Sequence, residues 1–335
     1  MRTNAIEDYR AGSRRFEGNR PTEGSLAEPG RASLHGLLLL DKPAGITSFA
    51  ATARVRQLLR VGKVGHCGTL DPFATGLLLI CINQATRIVD LLSLQDKTYR
   101  CLVRLGIETD TLDRTGAVTA EFEGDPSGEE ELREVLRSFC GTHEQAVPRY
   151  SAVRVQGRRL HRWTRQGVDV TVPSREVRIH RLELLKYRWP EAVLEVDCSK
   201  GTYVRQLAAD IGGRLGCGAH LSELRRLASG RFHLDQAVGM EQLDSASDVQ
   251  PGLPAFIPLN EVLDHLPAVV VNDEHTLRAL RHGHLEANYE LMMSQEWDSC
   301  GPEPVRLISP HQELVALWWP SAGAGERRLR VFASA

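Results

Sequence analysis

The sequence contains no CxxC pair. Its seven cysteines, Cys67, Cys81, Cys101, Cys140, Cys198, Cys217 and Cys300, are odd in number and irregular in spacing. That pattern excludes a disulfide framework or a zinc ribbon and reads as reduced thiols of a cytosolic protein. No apolar run reaches the length of a membrane span, and the first residues lack the apolar core of a signal sequence. The expectation is therefore a cytoplasmic chain without membrane contact. Internal repeats are absent too. A hydrophobic content of 42% and a charged content of 25% are those of a soluble globular protein. With 335 residues, the prior is one large domain and a small one.

A local shortage says more. From Lys42 to Val89 the only acid is Asp71, while Lys42, Arg54, Arg56, Arg60, Lys63 and Arg87 are basic. At the chain's average of 43 acids in 335 residues, such a window would hold roughly six. From Arg149 to Gly167 there are six arginines and again no acid. The net charge of −2 hides these patches. They fit a localised nucleic-acid footprint and equally fit solvated faces.

Residues 1–34 are polar and rich in Gly, Arg and Glu, the composition of a disordered tail. "LHGLLLLDKP" reads as a buried strand. "TSFAATARVRQLLR" reads as a helix capped by Thr47 or Ser48. "GLLLICI" is a strand, "QATRIVDLLS" a helix and "KTYRCLVRLG" an alternating strand. "SGEEELREVLRSF" is a helix with Ser127 as N-cap and acids in its first turn. Two strands follow in "REVRIHRLELLKYRW" and "AVLEVDCSKG". "TYVRQLAADIGGRLG" is a helix ending near Gly216 and Gly218. Strands and helices mix without a βαβ period, which favours an α+β fold with a mixed or antiparallel sheet. "SASDVQPGLPAFIP" reads as a linker, and the short strands beyond it predict a small β-rich C-terminal domain.

Asp71 precedes Pro72, which biases it away from helix, and Gly65, Gly68 and Gly76 allow a ligand close to the backbone. Among basic neighbours its carboxyl is expected to be ionised, fit to act as nucleophile, base or metal ligand. Only His66 stands near as a second ligand, so a metal site lacks its partners. Asp-Pro also opens turns, and spacing alone leaves that reading open. By the same standard Tyr99 fits a core strand, Arg205 a surface ion pair and His66 a hydrogen-bonded loop.

"GHCGTLDPFATGLL" resembles the signature of the TruB family of tRNA pseudouridine synthases, which includes the dyskerin-type enzymes. "LLLLDKPAGITS" resembles the family's opening motif and "KTYRCLVRLGIETDTLDRTG" its second block. "PRYSAVRVQGRRLHRWTRQG" resembles its RNA-gripping insertion, and "CSKGTYVRQLAADIGGRLGCGAHLSELRRL" its last catalytic block. The blocks run in family order from about residue 37 to 227. "QGRRLHRWTRQG" is closer to the stand-alone bacterial type than to the guide-RNA-dependent relatives. One departure is Cys67, where the family usually has a small hydroxyl residue.

The resemblance implies a catalytic domain over 35–250, with the insertion at about 145–170, and a PUA-like domain over 256–335. It implies isomerisation of uridine-55 in the tRNA T loop to pseudouridine, with no cofactor and no metal. By match to the family motifs, Asp71 is the catalytic aspartate, Arg205 its ion-pair partner, and Tyr99 the active-site tyrosine that stacks on the base. Tyr203 and Leu224 line the base pocket, and His66 takes the space of the flipped base. Lys42, Arg154, Arg158, Arg159 and Arg162 are expected on the RNA-binding surface. The expected partner is the T arm of tRNA, bound by a monomer without guide RNA or obligate protein partner. Two other readings are an RNA-folding factor that has lost catalysis and a guide-dependent rRNA-modifying subunit. Intact Asp71, Tyr99 and Arg205 speak against the first, and the insertion speaks against the second.

Overall fold

The computed structural model describes residues 34–124, 128–245, 255–285, 303–320 and 329–332. The tail, most of the expected linker, Ser127 and Cys300 lie outside the described residues.

The first strand, β1 (Gly36–Lys42), contains Leu37 to Leu40, all four fully buried. A strand apolar on both faces belongs in the middle of a covered sheet. Helix α1 (Ser48–Leu59) begins where Thr47 Oγ1 accepts from Ala50 N at 3.0 Å. β2 (Val64–Cys67) and β3 (Thr75–Ile82) pair antiparallel, with β1 on the other side of β3. The sequence pattern over residues 84–93 predicts one helix. The chain instead makes a 3-10 turn over Asn83–Ile88 and then the short α2 (Val89–Ser93). Ile88, at φ −107° and ψ 11°, interrupts the run between the two, and Asn83, at φ +51° with its side chain tied to Lys63 N and Leu34 O, starts it.

β4 (Lys97–Leu105) follows, then a hairpin of β5 (Ile107–Thr109) and β6 (Val118–Glu121). Helix α3 (Glu129–Phe139) buries Leu132, Leu136 and Phe139, spaced three and four residues apart; its N-cap is Gly128. Next come β7 (Gly141–Ala146), the hairpin β8 (Arg154–Val155) and β9 (Arg158–Arg159), and the one-turn helix α4 (Leu160–Arg165). The long antiparallel pair β10 (Ser174–Arg188) and β11 (Glu191–Cys198) leads into α5 (Val204–Arg214) and β12 (Ala219–Ser229).

Three short strands, β13 (Phe232–His233), β14 (Val238–Gly239) and β15 (Phe256–Pro258), complete one sheet of eleven strands, with α6 (Met240–Ser245) between the last two. Its main path is β14-β1-β3-β12-β4-β11-β10-β7. The β1–β14 and β3–β12 pairs are parallel and the other pairs antiparallel, so the sheet is mixed. The strands on the two sides of the parallel β3–β12 contact carry separate apolar clusters.

After α7 (Leu259–Val262), the C-terminal region forms a second sheet of four strands: β16 (Ala268–Val270), β17 (Val305–Ile308), β18 (Leu314–Trp318) and β19 (Leu329–Val331). Helix α8 (Glu274–Arg281) packs on it. Ile308, Leu314, Leu317 and Phe332 join the apolar cluster of β1 and β3, so this sheet is packed against the larger one.

Candidate active site

Asp71 lies in the loop between β2 and β3. Ala74 N donates to Asp71 O at 3.1 Å, so Asp-Pro does open a turn. The loop is pinned from α1: Ser48 Oγ donates to Leu70 O at 3.0 Å and accepts from Leu70 N at 2.9 Å. Gly45 N donates to Pro72 O at 2.8 Å. The turn reading and the site reading are thus one object, a turn that presents a carboxylate.

Lys42 belongs to this scaffold. Its side chain is fully buried, and its ammonium donates to the carbonyls of Pro43 (2.8 Å), Ile46 (2.9 Å) and Pro72 (3.4 Å). Burial pulls its pKa down to about 8. The expectation of Lys42 on the RNA-binding surface is corrected here, since an ammonium engaged by three carbonyls beneath the loop does not face a phosphate.

Arg205, on the first turn of α5, meets Asp71 side-on. Nε donates to Oδ2 at 2.8 Å and Nη2 to Oδ1 at 3.3 Å, a bidentate pair. The guanidinium is itself held by Thr111 O and Tyr150 O, both at 3.0 Å, and by Asp113 at 3.7 Å. Its side chain is 5% exposed against 35% for Asp71, so the arginine is fixed and the carboxylate faces the opening. Burial raises the pKa of Asp71, Arg205 opposes it, and Asp113 adds to the rise. The basic window suggested a readily ionised carboxylate; burial wins over the charges, and Asp71 holds its proton to a higher pH than an ordinary aspartate.

The pair opens into a cleft of about 720 Å³. Tyr99 and Leu224 line it from the neighbouring strands β4 and β12, and Tyr203 from the start of α5. Gln145, buried, holds Tyr203 by both backbone groups, at 2.8 and 3.2 Å. Arg175 lies over the Tyr203 ring at 5.2 Å. Tyr99 is 8% exposed, and burial raises its pKa.

The structure therefore brings together Asp71, Tyr99, Tyr203, Arg205 and Leu224. His66 is not in the cleft wall. It sits half-buried on β2 opposite Ile80, with Nδ1 buried and making no hydrogen bond among the described residues. Burial and Arg226 lower its pKa. Arg154, Arg158, Arg159 and Arg162 are exposed on the β8–β9 hairpin and α4, outside the cleft, whereas His161 and Arg165 of α4 reach its wall. Cys67 is buried with Sγ 3.5 Å from Cys81 Sγ on the paired strand, so the thiol fills a packed position.

Sequence reasoning missed Asp113, Tyr150, Arg175, Lys97 and Arg226, all in the cleft wall. Lys97 and Arg226 are buried cations, and nothing in composition separates a buried cation from a surface one. Asp113 lay within the quoted "TDTLDRTG" stretch but carried no charge anomaly of its own.

Comparison with known proteins identifies the family. Residues 56–204 match the model of the TruB family pseudouridylate synthase N-terminal domain. Residues 205–266 match that of the tRNA pseudouridylate synthase B C-terminal domain. The tRNA pseudouridine synthase B of Syntrophobacter fumaroxidans is 52% identical over 298 residues, 89% of this chain and 97% of that protein. The protein of the same name from Bordetella avium is 48% identical over 231 residues, 68% of this chain and 93% of that protein. Among solved structures, one of a Cbf5-Nop10-Gar1 complex contains a chain that aligns with a TM-score of 0.64 at 26% identity, covering 89% of this chain and 84% of that one. With two family models meeting at Arg205, and a relative more than half identical along nearly all of its length, the chain belongs to the TruB family of pseudouridylate synthases.

Proposed function

We propose that this protein isomerises uridine-55 in the T loop of tRNA to pseudouridine, acting as a monomer without guide RNA or a protein partner. The observation that carries the reading is the bidentate Asp71–Arg205 pair at the mouth of a cleft walled by Tyr99, Tyr203 and Leu224. The names of its relatives supply the substrate class. The target uridine is stacked in the folded T loop and must leave the stack to reach a carboxylate set in a cleft. The reaction conserves atoms: the N1–C1′ bond breaks, the uracil rotates, C5 bonds to C1′, and the C5 proton is lost while N1 gains one.

Asp71 has two routes, attack on C1′ or abstraction of a ribose proton, and both need the ionised carboxylate. Arg205 holds that carboxylate in one orientation. Tyr99 and Leu224 sandwich the uracil, and Tyr99 is also a candidate base. Tyr203 completes the pocket. The exposed arginines Arg154, Arg158, Arg159 and Arg162 hold the RNA backbone. His66, half-buried on β2 outside the cleft wall, takes the space of the flipped base in this reading.

The test is incubation of the pure protein with an unmodified tRNA transcript, followed by mapping of pseudouridine. The reading expects modification at position 55 with nothing else added. Modification at another position, or activity that needs added RNA or protein, overturns it.

A further inference from the structure

Arg226 is 1% exposed on β12. A buried guanidinium is costly unless its donors are engaged, so its contacts show what it holds. Nε donates to Leu77 O at 2.6 Å, and Nη2 donates to Gly68 O at 3.0 Å. Gly68 and Leu77 lie on either side of the loop that carries Asp71. The guanidinium also faces the phenol of Tyr99, which is the cross-strand neighbour of Arg226 on β4.

The backbone is shaped around this residue. On its other side Arg226 pairs with Gly76 in the parallel β3–β12 contact. Gly76 sits at φ +99°, and a Cβ there would lie 2.3 Å from Arg226 O, a contact that no side chain survives. Gly68 sits at φ +74°, and a Cβ there would lie 3.2 Å from Nη1. Positive φ favours glycine at both positions, and at Gly76 the Arg226 backbone also leaves no room for a Cβ. A lysine in its place would carry the charge but not the planar fork that reaches two carbonyls at once.

We propose that Arg226 is a positioning residue for the isomerisation: one buried guanidinium ties both sides of the Asp71 loop together and braces the Tyr99 phenol, which sets the carboxylate and the tyrosine at a fixed separation across the cleft. The inference rests on the proposed roles of Asp71 and Tyr99. Although it stands in the cleft wall, Arg226 is 1% exposed and spends its Nε and Nη2 on protein carbonyls, so its effect belongs in turnover more than in affinity.

The experiment compares Arg226→Lys and Arg226→Met in the full chain. It measures single-turnover pseudouridine formation at saturating tRNA, tRNA affinity and thermal melting. Misplacing a reacting group by about 1 Å costs on the order of 100-fold in rate. Arg226→Met is expected to lose about that much, and Arg226→Lys to recover part of it, with affinity within about twofold of wild type for both. If the methionine variant does not fold, the lysine variant decides alone: a folded Arg226→Lys with reduced turnover and unchanged affinity supports the proposal. A wild-type rate in folded Arg226→Lys, or a loss of affinity equal to the loss of rate, overturns it. Failure here is distinguishable from failure of the functional reading, because the latter would show as full activity in Asp71→Asn.

Discussion

Asp71 combines two demands that pull apart. Its chemistry needs the ionised form, while its burial and the nearby Asp113 charge favour the protonated form against Arg205. For an acid with a raised pKa, the ionised fraction falls away as pH drops through that raised value. The acid limb of the pH–rate profile is therefore expected above the usual aspartate range. Asp113→Asn removes one like charge yet leaves an Oδ1 acceptor for Thr111 Oγ1 and Thr115 N, now at 2.9 Å each. Its acid limb is expected to move to lower pH, and a limb that stays put or moves up would contradict this balance. Lys42 makes a second residue-scale case. Lys42→Met leaves buried carbonyls around the Asp71 loop unsatisfied, a cost of about 1–3 kcal/mol for such a group. Melting temperature and turnover should fall together while the salt dependence of tRNA binding is unchanged. A flatter salt slope in a stable variant would return Lys42 to the RNA surface.

At the scale of elements, the apolar strands β1 and β3 were plain in the sequence because both faces are buried and the residues say so. The lone acid of a basic window was also legible, since one charge among its opposites is a compositional fact. β12 was not. Its "ELRRLAS" mixes charge with apolar residues, and its place between β3 and β4 comes from long-range pairing that no local pattern carries. The arginine-rich segment was legible as charge but not as shape. It folds as the β8–β9 hairpin and α4, with Arg158 over the Trp163 ring at 5.0 Å and Trp163 Nε1 donating to Val155 O at 3.1 Å. Removing Arg158 thus disturbs the hairpin as well as the charge. Arg159→Ala/Arg162→Ala is the cleaner variant. If both arginines touch phosphate, the log–log salt slope of tRNA binding should flatten by roughly 0.7 for each. The rate at saturating tRNA should remain near wild type. An unchanged slope in the folded variant would take both residues off the RNA surface.

At the scale of the molecule, composition suggested two modules joined by a linker. The structure places more between them. β15 pairs with β1, and Ile308, Leu314, Leu317 and Phe332 share a cluster with Leu37 to Leu40. Arg330 spans to Asp90 with both nitrogens at 2.8 Å. Cutting the chain after residue 266 would uncover that apolar surface, and fully burying one large apolar side chain is worth about 1.5–3 kcal/mol. The truncated chain is expected to melt well below the full one or to aggregate. Equal melting temperatures would show that the large sheet stands alone.

The central claim is that one carboxylate does chemistry while a broad basic surface does binding. Single-turnover pseudouridine formation on an unmodified tRNA transcript, with tRNA affinity measured in parallel, tests it in Asp71→Asn. The side chain keeps its size, and its Oδ1 can still accept from Arg205, so the site's shape is disturbed as little as a substitution allows. The account predicts no detectable pseudouridine with affinity within a few-fold of wild type. Turnover near the wild-type rate in Asp71→Asn would contradict it.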